Sequence, residues 1–343
     1  MTSLATIVGV LAAATLPAPA TTSKDQAPQR PFAPDSVWNT VVPAKAPLAP
    51  DSAAMVADLV RQVKTAGAWI NSTQWSTPVY QVPVDQPGVR VTLDTPSSMY
   101  TNAADAAELQ RQLDMVPIPM TAKPANGTDR HVVIWQPATD TLWELWLVRL
   151  VAGATGPAWH AAWGSRIDNV SSSMGINRFP FGATASGLPI VGGLMTRDEV
   201  DARVIPHALA LAIPEPSARR LFWPANRTDG TSSSPAALPE GAHLRLDPSV
   251  NVDKLGLPPV TRAMAIAAQR YGIIMRDKAG AVAFYSEDTG PLGRLADWGG
   301  QSPSQLLARF PWSRLQVLEP ARITPVATCV KRAAKSRARC AQP

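Results

Sequence analysis

The sequence predicts a mainly β fold, with a β-sandwich or jelly-roll-like core and about three peripheral α-helices. The chain holds 34 prolines against 21 glycines, a proportion that favours strands joined by rigid connections over long helices. Five of its eleven tryptophans lie between Trp135 and Trp163, in segments that alternate with period two. Strands and helices do not alternate along the chain and no repeat of fixed period is visible, which disfavours doubly wound sheets, propellers and solenoids.

The N-terminus predicts export. An apolar stretch at residues 4–16 is closed by Pro-Ala-Pro-Ala at 17–20, which fits the small-x-small pattern that signal peptidase cuts after. We therefore expect residues 1–20 to be a signal peptide and the mature chain to be secreted. No Lys or Arg precedes the stretch, so a disordered apolar N-terminus is the alternative. No other segment reaches the roughly 18 apolar residues of a membrane span, so we expect none.

Composition divides the rest of the chain into three parts. Residues 21–34 are rich in Pro, Thr and Gln and are predicted to be a linker. Residues 35–328 have the length and hydrophobic content of a single globular β-rich domain. Residues 329–343 form a tail with five Lys or Arg and no acidic residue.

The tail accounts for most of the net charge. The chain carries +6 and the tail supplies five of these charges, so the body is nearly neutral. A nucleic-acid binder should carry its basic patch on the folded face that meets phosphates, so we expect no nucleic-acid partner. Cys329 and Cys340 flank the tail and predict one disulfide in an oxidising compartment. The closed loop would either hold basic side chains against an anionic polymer or be a solvated extension.

Two helices and two strands are predicted in the first third of the chain. Residues 52–64 carry apolar side chains at helical spacing. Strand-like segments at 78–84 and 88–93 are joined through a Pro-Gly step, which is a turn signal. Residues 103–115 are predicted to form a second helix, with Asn102 as its N-cap.

Strands with period-two alternation dominate the centre. Residues 131–135 and 142–150 flank a turn and predict an antiparallel hairpin, with 159–167 as its neighbour. A third helix is predicted at 262–270 and ends at Gly272. Further strands are predicted at residues 208–213, 243–246, 272–276, 281–285 and 315–318.

The second hairpin strand carries a carboxyl beside an indole. Alternation places Glu144 and Trp146 on one face. A carboxyl between apolar neighbours has its pKa raised by desolvation, which suits a general acid. Trp135 and Trp146 offer flat faces for stacking on sugar rings, and we take them as candidate substrate-binding residues.

The neighbouring strand places His160, Arg166 and Asp168 together. If the polar faces of both strands point into one cleft, these residues and Glu144 would suit glycoside hydrolysis by paired carboxylates. They would equally suit β-elimination, with Arg166 neutralising a uronate and His160 as the base. An ion-paired, solvent-facing sheet surface with the tryptophans in the core is the alternative.

His207 follows the small-residue segment 184–194 and is a second candidate base, or else a structural histidine. The four histidines have no close metal-ligand spacing, and the sequence has no phosphate loop or dinucleotide fingerprint. We therefore expect neither a metal nor a cofactor. Asp229-Gly230 and residues 277–280 are typical of turns.

Four further segments stand out together: residues 183–194, 207–213, 239–248 (Pro-Glu-Gly-Ala-His-Leu-Arg-Leu-Asp-Pro) and 267–277 (Ala-Ala-Gln-Arg-Tyr-Gly-Ile-Ile-Met-Arg-Asp). This set resembles one that recurs in secreted proteins of high-GC actinobacteria and that has no assigned activity. The resemblance implies export and transfers no catalytic residue.

Two functional hypotheses follow. The first is a secreted carbohydrate-active enzyme, a glycoside hydrolase or polysaccharide lyase, which acts on a cell-envelope or environmental polysaccharide with Glu144 as acid and Asp168 or His160 as its partner. The second is a non-catalytic glycan- or cell-wall-binding protein that uses its tryptophans and basic tail. We expect a monomer in both cases. A deep groove with two carboxylates roughly 5 to 10 Å apart would favour the enzyme.

Overall fold

Sheet predominates in the fold, which confirms the coarse prediction from the sequence. The computed structural model describes residues 30–94, 102–154, 156–325, 330–331 and 338–339. The helices within these residues are α1 (Ser52–Ala66), α2 (Ala103–Gln112), α3 (Arg197–Ala202), α4 (Pro259–Arg270) and α5 (Pro303–Leu307). The strands are β1 (Ala68–Asn71), β2 (Val79–Gln81), β3 (Val91–Leu93), β4 (Val132–Gln136), β5 (Thr141–Trp146), β6 (Arg149–Val151), β7 (Ala158–Ala161), β8 (Trp163–Asp168), β9 (Leu209–Ile213), β10 (Arg220–Phe222), β11 (Arg227–Thr228), β12 (His243–Leu246), β13 (Ile273–Lys278), β14 (Val282–Tyr285), β15 (Leu315–Val317), β16 (Ile323–Pro325), β17 (Val330–Lys331) and β18 (Ala338–Arg339).

The largest sheet has six strands in the order β1-β14-β9-β13-β12-β15. It is mixed, because β9 runs parallel to β13 and antiparallel to β14. Alternation along β9 sends Leu209 and Leu211 to one face, where they join residues of α1, α4 and α5 in an apolar core. Ala210 and Ala212 belong to a second apolar cluster on the other face. Helices therefore cover one side of this sheet only, and its other side is free to meet a second layer.

The second sheet confirms the predicted hairpin. Strands β4 and β5 pair antiparallel, and the sheet has the order β2-β4-β5-β8. Val133, Leu142 and Ile167 of this sheet share one apolar cluster with Ala210 and Ile274 of the six-stranded sheet. The two largest sheets therefore meet across a common layer of side chains.

The predicted strand at 159–167 divides into two. Trp159 belongs to β7, which lies between β3 and β6 in a separate three-stranded sheet. Trp163 begins β8, which pairs with β5. Leu109 of α2 packs in a third apolar cluster with residues of both sheets. Because of this division, residues 160 and 166 lie in different sheets.

The sequence predicts about three helices, and the described residues contain five. The predictions at 52–64 and 103–115 are confirmed, and the side chain of Asn102 caps α2. Helix α4 begins earlier than predicted, because Pro259 suits the first turn of a helix. The additional helices, α3 and α5, begin with capping boxes. They have only six and five residues, which is too short to show the apolar periodicity of longer helices.

None of the described helices combines the length and the apolar character that crossing a bilayer requires. The predicted signal peptide and the predicted disulfide between Cys329 and Cys340 lie outside the described residues.

Candidate functional site

A cavity of ≈ 810 Å³ is the main candidate site in the described part of the chain. Strands β1, β13 and β14 of the six-stranded sheet contribute to its wall, together with the ends of β5 and β8, residues next to β11, and segment 182–185. Its volume is in the range of small-molecule and substrate sites, which are about 300 to 1,000 Å³.

Three carboxyl groups gather at this cavity. Asp229 and Asp277 line its wall, whereas Glu240 is fully buried and does not contribute to the wall. One oxygen atom from each of the three lies within 4.8 Å of the other two. Asp229 follows β11, Glu240 precedes β12 and Asp277 lies in β13. The cluster therefore exists only in the folded chain.

A β-bulge in β13 directs Asp277 into the cavity. The register between β13 and β9 shifts between Met275 and Asp277, so that Asp277 pairs with Ala212. Ala212 belongs to the cluster on the cavity side of the sheet, and residues in register project from the same face. In a regular strand Arg276 would pair with Ala212, and Asp277 would stand beside Ile213, which faces the helical core. Bulges often lie next to active sites because they redirect side chains in this way.

Burial raises the pKa of all three carboxyl groups. The pKa of Asp277 rises to about 7, because burial and the charge of Asp229 outweigh the attraction of Arg276. Burial, and then the charges of Asp229 and Asp277, holds the pKa of Glu240 well above its ordinary value. Burial also raises the pKa of Asp229, although the charge of Lys278 opposes the increase. Of the three, Asp277 therefore has a pKa near neutral pH, where a general acid should titrate.

Two buried arginines fix the wall beside the cluster. Arg227 donates hydrogen bonds to four backbone carbonyls within residues 180–185. Arg276 donates to the carbonyls of Ile190 and Gly192 and stacks over the ring of Tyr285 at 4.1 Å. Burial lowers the pKa of Arg227 to about 10, and the neighbouring carboxyl groups oppose the decrease. Both guanidinium groups thus hold residues 180–192 in place beside the cavity.

Glu144 fixes the same segment from the second sheet. Its carboxylate accepts hydrogen bonds from Asn177 Nδ2 at 2.7 Å, from the Ala183 N–H at 3.1 Å and from the Ile190 N–H at 2.7 Å. Burial raises its pKa and these hydrogen bonds oppose the increase. The residue does not line the cavity. The predicted general acid therefore lies in the scaffold behind the cavity wall.

The other predicted acid–base residues do not meet Glu144. His160 Nδ1 pairs with an oxygen of Asp94 at 2.8 Å in the three-stranded sheet. Arg166 and Asp168 form an exposed ion pair of 2.8 Å on β8. Glu144 is in register with the residue before Arg166, so these two side chains project from opposite faces of the sheet. The expected convergence on one cleft is absent, and none of these side chains lines the cavity.

Among the remaining predicted site residues that the structure describes, only Trp146 lines the cavity. Its indole N–H approaches Asp129 Oδ1 at 3.4 Å. Trp135 is buried in the layer between the two largest sheets. His207 is buried and its Nε2 pairs with Glu199 at 3.1 Å. Burial lowers its pKa, but the charge of Glu199 and the hydrogen bonds to Glu199 and the Ala208 carbonyl together raise it above its ordinary value. His207 and Trp135 are therefore placed as structural side chains.

Two exposed tryptophans line the cavity. Trp69 and Trp75 are 43% and 44% exposed, whereas the other tryptophans are buried or half-buried. The Trp75 indole N–H donates to Thr128 Oγ1 at 3.2 Å. Gly127 has a φ of +100°, and a Cβ there would lie 2.8 Å from the Trp75 ring, so only glycine allows this close approach. Exposed indoles held beside a cavity are suited to stacking on sugar rings.

The three carboxyl oxygens also have a spacing that one hard cation can bridge, since two ligands of a calcium ion lie within about 5 Å of each other. Lys278 and Arg227 already place positive charge next to Asp229, which opposes a second cation there. We therefore interpret the cluster as an acid–base group.

The sequence analysis missed these residues because their local patterns are ordinary. Asp229-Gly230 and residues 277–280 are typical of turns, and both aspartates do lie at strand ends. A usable signal was the charged pair Arg276-Asp277 at the end of an otherwise apolar strand. Glu240 and Asp277 also fall within two of the four segments that resemble actinobacterial secreted proteins.

Comparison with known proteins finds no matching family model, no similar curated protein and no similar solved structure. A functional proposal for this chain therefore rests on the chemistry of the cavity.

Proposed function

We propose that the protein is a secreted carbohydrate-active enzyme that hydrolyses glycosidic bonds at the carboxyl pair Asp229 and Asp277. The observation that supports this most strongly is the position of the pair in a cavity that also exposes Trp69 and Trp75. Glycoside hydrolysis needs one carboxylic acid to protonate the leaving oxygen and a second carboxylate at the sugar ring. Aromatic platforms beside such a pair hold the sugar while it reacts.

The two aspartates have different roles in this proposal. Asp277 is the general acid, because its pKa of about 7 leaves it partly protonated at neutral pH. Asp229 is the nucleophile, because the charges of Lys278 and Arg227 oppose the increase that burial causes in its pKa. Their oxygens lie within 4.8 Å, which is closer to the roughly 5 Å of retaining enzymes than to the about 6.5 to 9.5 Å of inverting enzymes. We therefore expect retention of the anomeric configuration.

The substrate in this proposal is a cell-envelope or environmental polysaccharide. Export through residues 1–20 would bring the enzyme to that polymer, and the basic tail at 329–343 would hold it near an anionic wall. Trp146 remains a candidate contact to the sugar, together with the exposed tryptophans. We also interpret the two facing sheets as a β-sandwich.

A polysaccharide panel tests this function. Purified protein is incubated with each polymer, and reducing ends and the ultraviolet absorbance of unsaturated sugars are measured together. We expect new reducing ends without unsaturated product. Asp277→Asn should lose about 100-fold or more of the rate, while the exposed Asp253, which pairs with Arg262 on α4, supplies the control Asp253→Asn. An unsaturated product would show that the reaction is elimination and not hydrolysis. Binding of glycan without any cleavage would show that the chain is a binding protein.

A further inference from the structure

Glu240 lies behind the carboxyl pair in a tightly held turn. Its side chain is fully buried, and its Oε2 accepts a hydrogen bond from the backbone N–H of Asp229 at 3.2 Å. Its carbonyl accepts from the Phe222 N–H at 2.9 Å, and the next N–H, that of Gly241, donates to the Met275 carbonyl at 2.7 Å. The backbone on which Glu240 stands is therefore fixed to the strands on either side.

The second oxygen of Glu240 has no hydrogen-bond partner within the described part of the chain. A buried carboxylate oxygen without a partner is costly, and a proton on the carboxyl group removes most of that cost. The oxygens of Asp229 and Asp277 lie within 4.8 Å, so a protonated Glu240 has acceptors close by. The geometry therefore supplies both a reason for the proton and a place to donate it.

We propose that Glu240 is a positioning residue of this acid site, which orients Asp229 and shares a proton with it. This inference rests on the proposed function, because Asp229, the residue that Glu240 orients, is the nucleophile in that function. Glu240 does not line the cavity, so it acts through Asp229 and not on the sugar. With that proton held between Glu240 and Asp229, Asp277 is left as the group that exchanges its proton with the substrate.

The charges around Glu240 agree with one shared proton. Asp229 and Asp277 both act to raise its pKa, after the larger effect of burial. Lys278 and Arg227 act on Asp229 in the opposite direction and favour its ionised form. Three carboxylates within 4.8 Å cannot all ionise without a large repulsion. The shared proton therefore resides on Glu240, the most deeply buried member, and is donated in a hydrogen bond to the Asp229 carboxylate, which keeps its charge.

Carbon-13 NMR of the side-chain carboxyl carbons of glutamate tests the shared proton without any substrate. The chain has only seven glutamates, and the Glu240 signal is assigned by its loss in Glu240→Gln. We expect the Glu240 signal to titrate at a higher pH than the signals of the exposed glutamates, because burial and the neighbouring carboxylates raise its pKa. Asp229→Asn should move the Glu240 midpoint to lower pH, because it removes a neighbouring carboxylate. Asp253→Asn, at an exposed acid that pairs with Arg262, should leave that midpoint unchanged.

Two NMR outcomes would overturn the inference. One is ionisation of Glu240 at an ordinary midpoint with no response to Asp229→Asn. The other is a saturable shift of the Glu240 signal on addition of calcium chloride at neutral pH, because that would make the cluster a cation site.

Kinetics test the positioning role. Glu240→Gln should lower kcat by about 10- to 100-fold, the cost of a misplaced reacting group, and should move the alkaline or acid limb of the pH profile with little change in KM. Circular dichroism and an urea midpoint check that this variant is folded. An unchanged pH profile, or a change in KM alone, would refute positioning. If the wild-type protein cleaves no glycan but shows the expected NMR behaviour, the proposed hydrolysis is refuted and the proton shared by Glu240 and Asp229 is still supported.

Discussion

Replacing Asp277 by asparagine should make the protein more stable at alkaline pH. The folded pKa of Asp277 is about 7, against 3.8 for an unperturbed aspartate. Below about pH 4 the group is protonated in both states and contributes nothing. As the pH rises from about 4 to about 7, the unfolded chain ionises while the folded protein keeps its proton, so the free energy of unfolding falls. A difference of about three pH units corresponds to about 4 kcal/mol. Partial exposure of the carboxyl and its shared environment make this an upper value.

The assay is urea unfolding followed by tryptophan fluorescence at several pH values between about 4 and 8. Asp277→Asn, which keeps the shape and cannot ionise, should unfold at higher urea than wild type at about pH 8 and at nearly the same urea at about pH 4. Asp253→Asn serves as the matched control at an exposed acid. If the urea midpoints of wild type and Asp277→Asn change with pH in parallel, the claim that Asp277 is desolvated in the fold is refuted.

Four other substitutions separate the scaffold from the site. Glu144→Ala should lower the free energy of unfolding by about 3 to 5 kcal/mol, because it leaves three buried donors without their acceptor; an unchanged urea midpoint would contradict this. Trp69→Ala and Trp75→Ala should each weaken glycan binding by about 1 kcal/mol in calorimetry, while Trp298→Ala, at a half-buried indole that packs on the helical core, should leave the affinity unchanged. Gly127→Ala should weaken binding as much as Trp75→Ala, since its Cβ displaces that ring; an unaltered affinity would show that the position of Trp75 does not matter.

Most of the secondary structure was predictable because it follows from local periodicity. The hairpin of β4 and β5 shows strict alternation around a turn, and helix α1 shows apolar residues at helical spacing. The short helices α3 and α5 were missed, because five or six residues cannot display a helical period. The break between β7 and β8 was also missed, and it alone separates His160 from Arg166.

The candidate site was less predictable, because its members come together only through tertiary structure. Alternation correctly predicts a desolvated Glu144, but it does not reveal that three donors from a distant segment hold that carboxylate. Asp277 reaches the cavity through a bulge, and a bulge cannot be read from a period-two pattern. The local pattern around Glu240 indicates no functional role, and only the fold buries it beside Asp229.

Chemical rescue tests the central claim most directly, namely that Asp229 and Asp277 are the reacting pair. In Asp229→Ala the cavity loses the proposed nucleophile, while Asp277 can still protonate the leaving oxygen. On a glycan that the wild type cleaves, we predict that this variant is inactive in buffer and regains cleavage when sodium azide is added, with a glycosyl azide of inverted configuration as the product. Wild-type rates for Asp229→Ala without azide, or inactivity with and without it in a fully folded protein, would contradict the assignment.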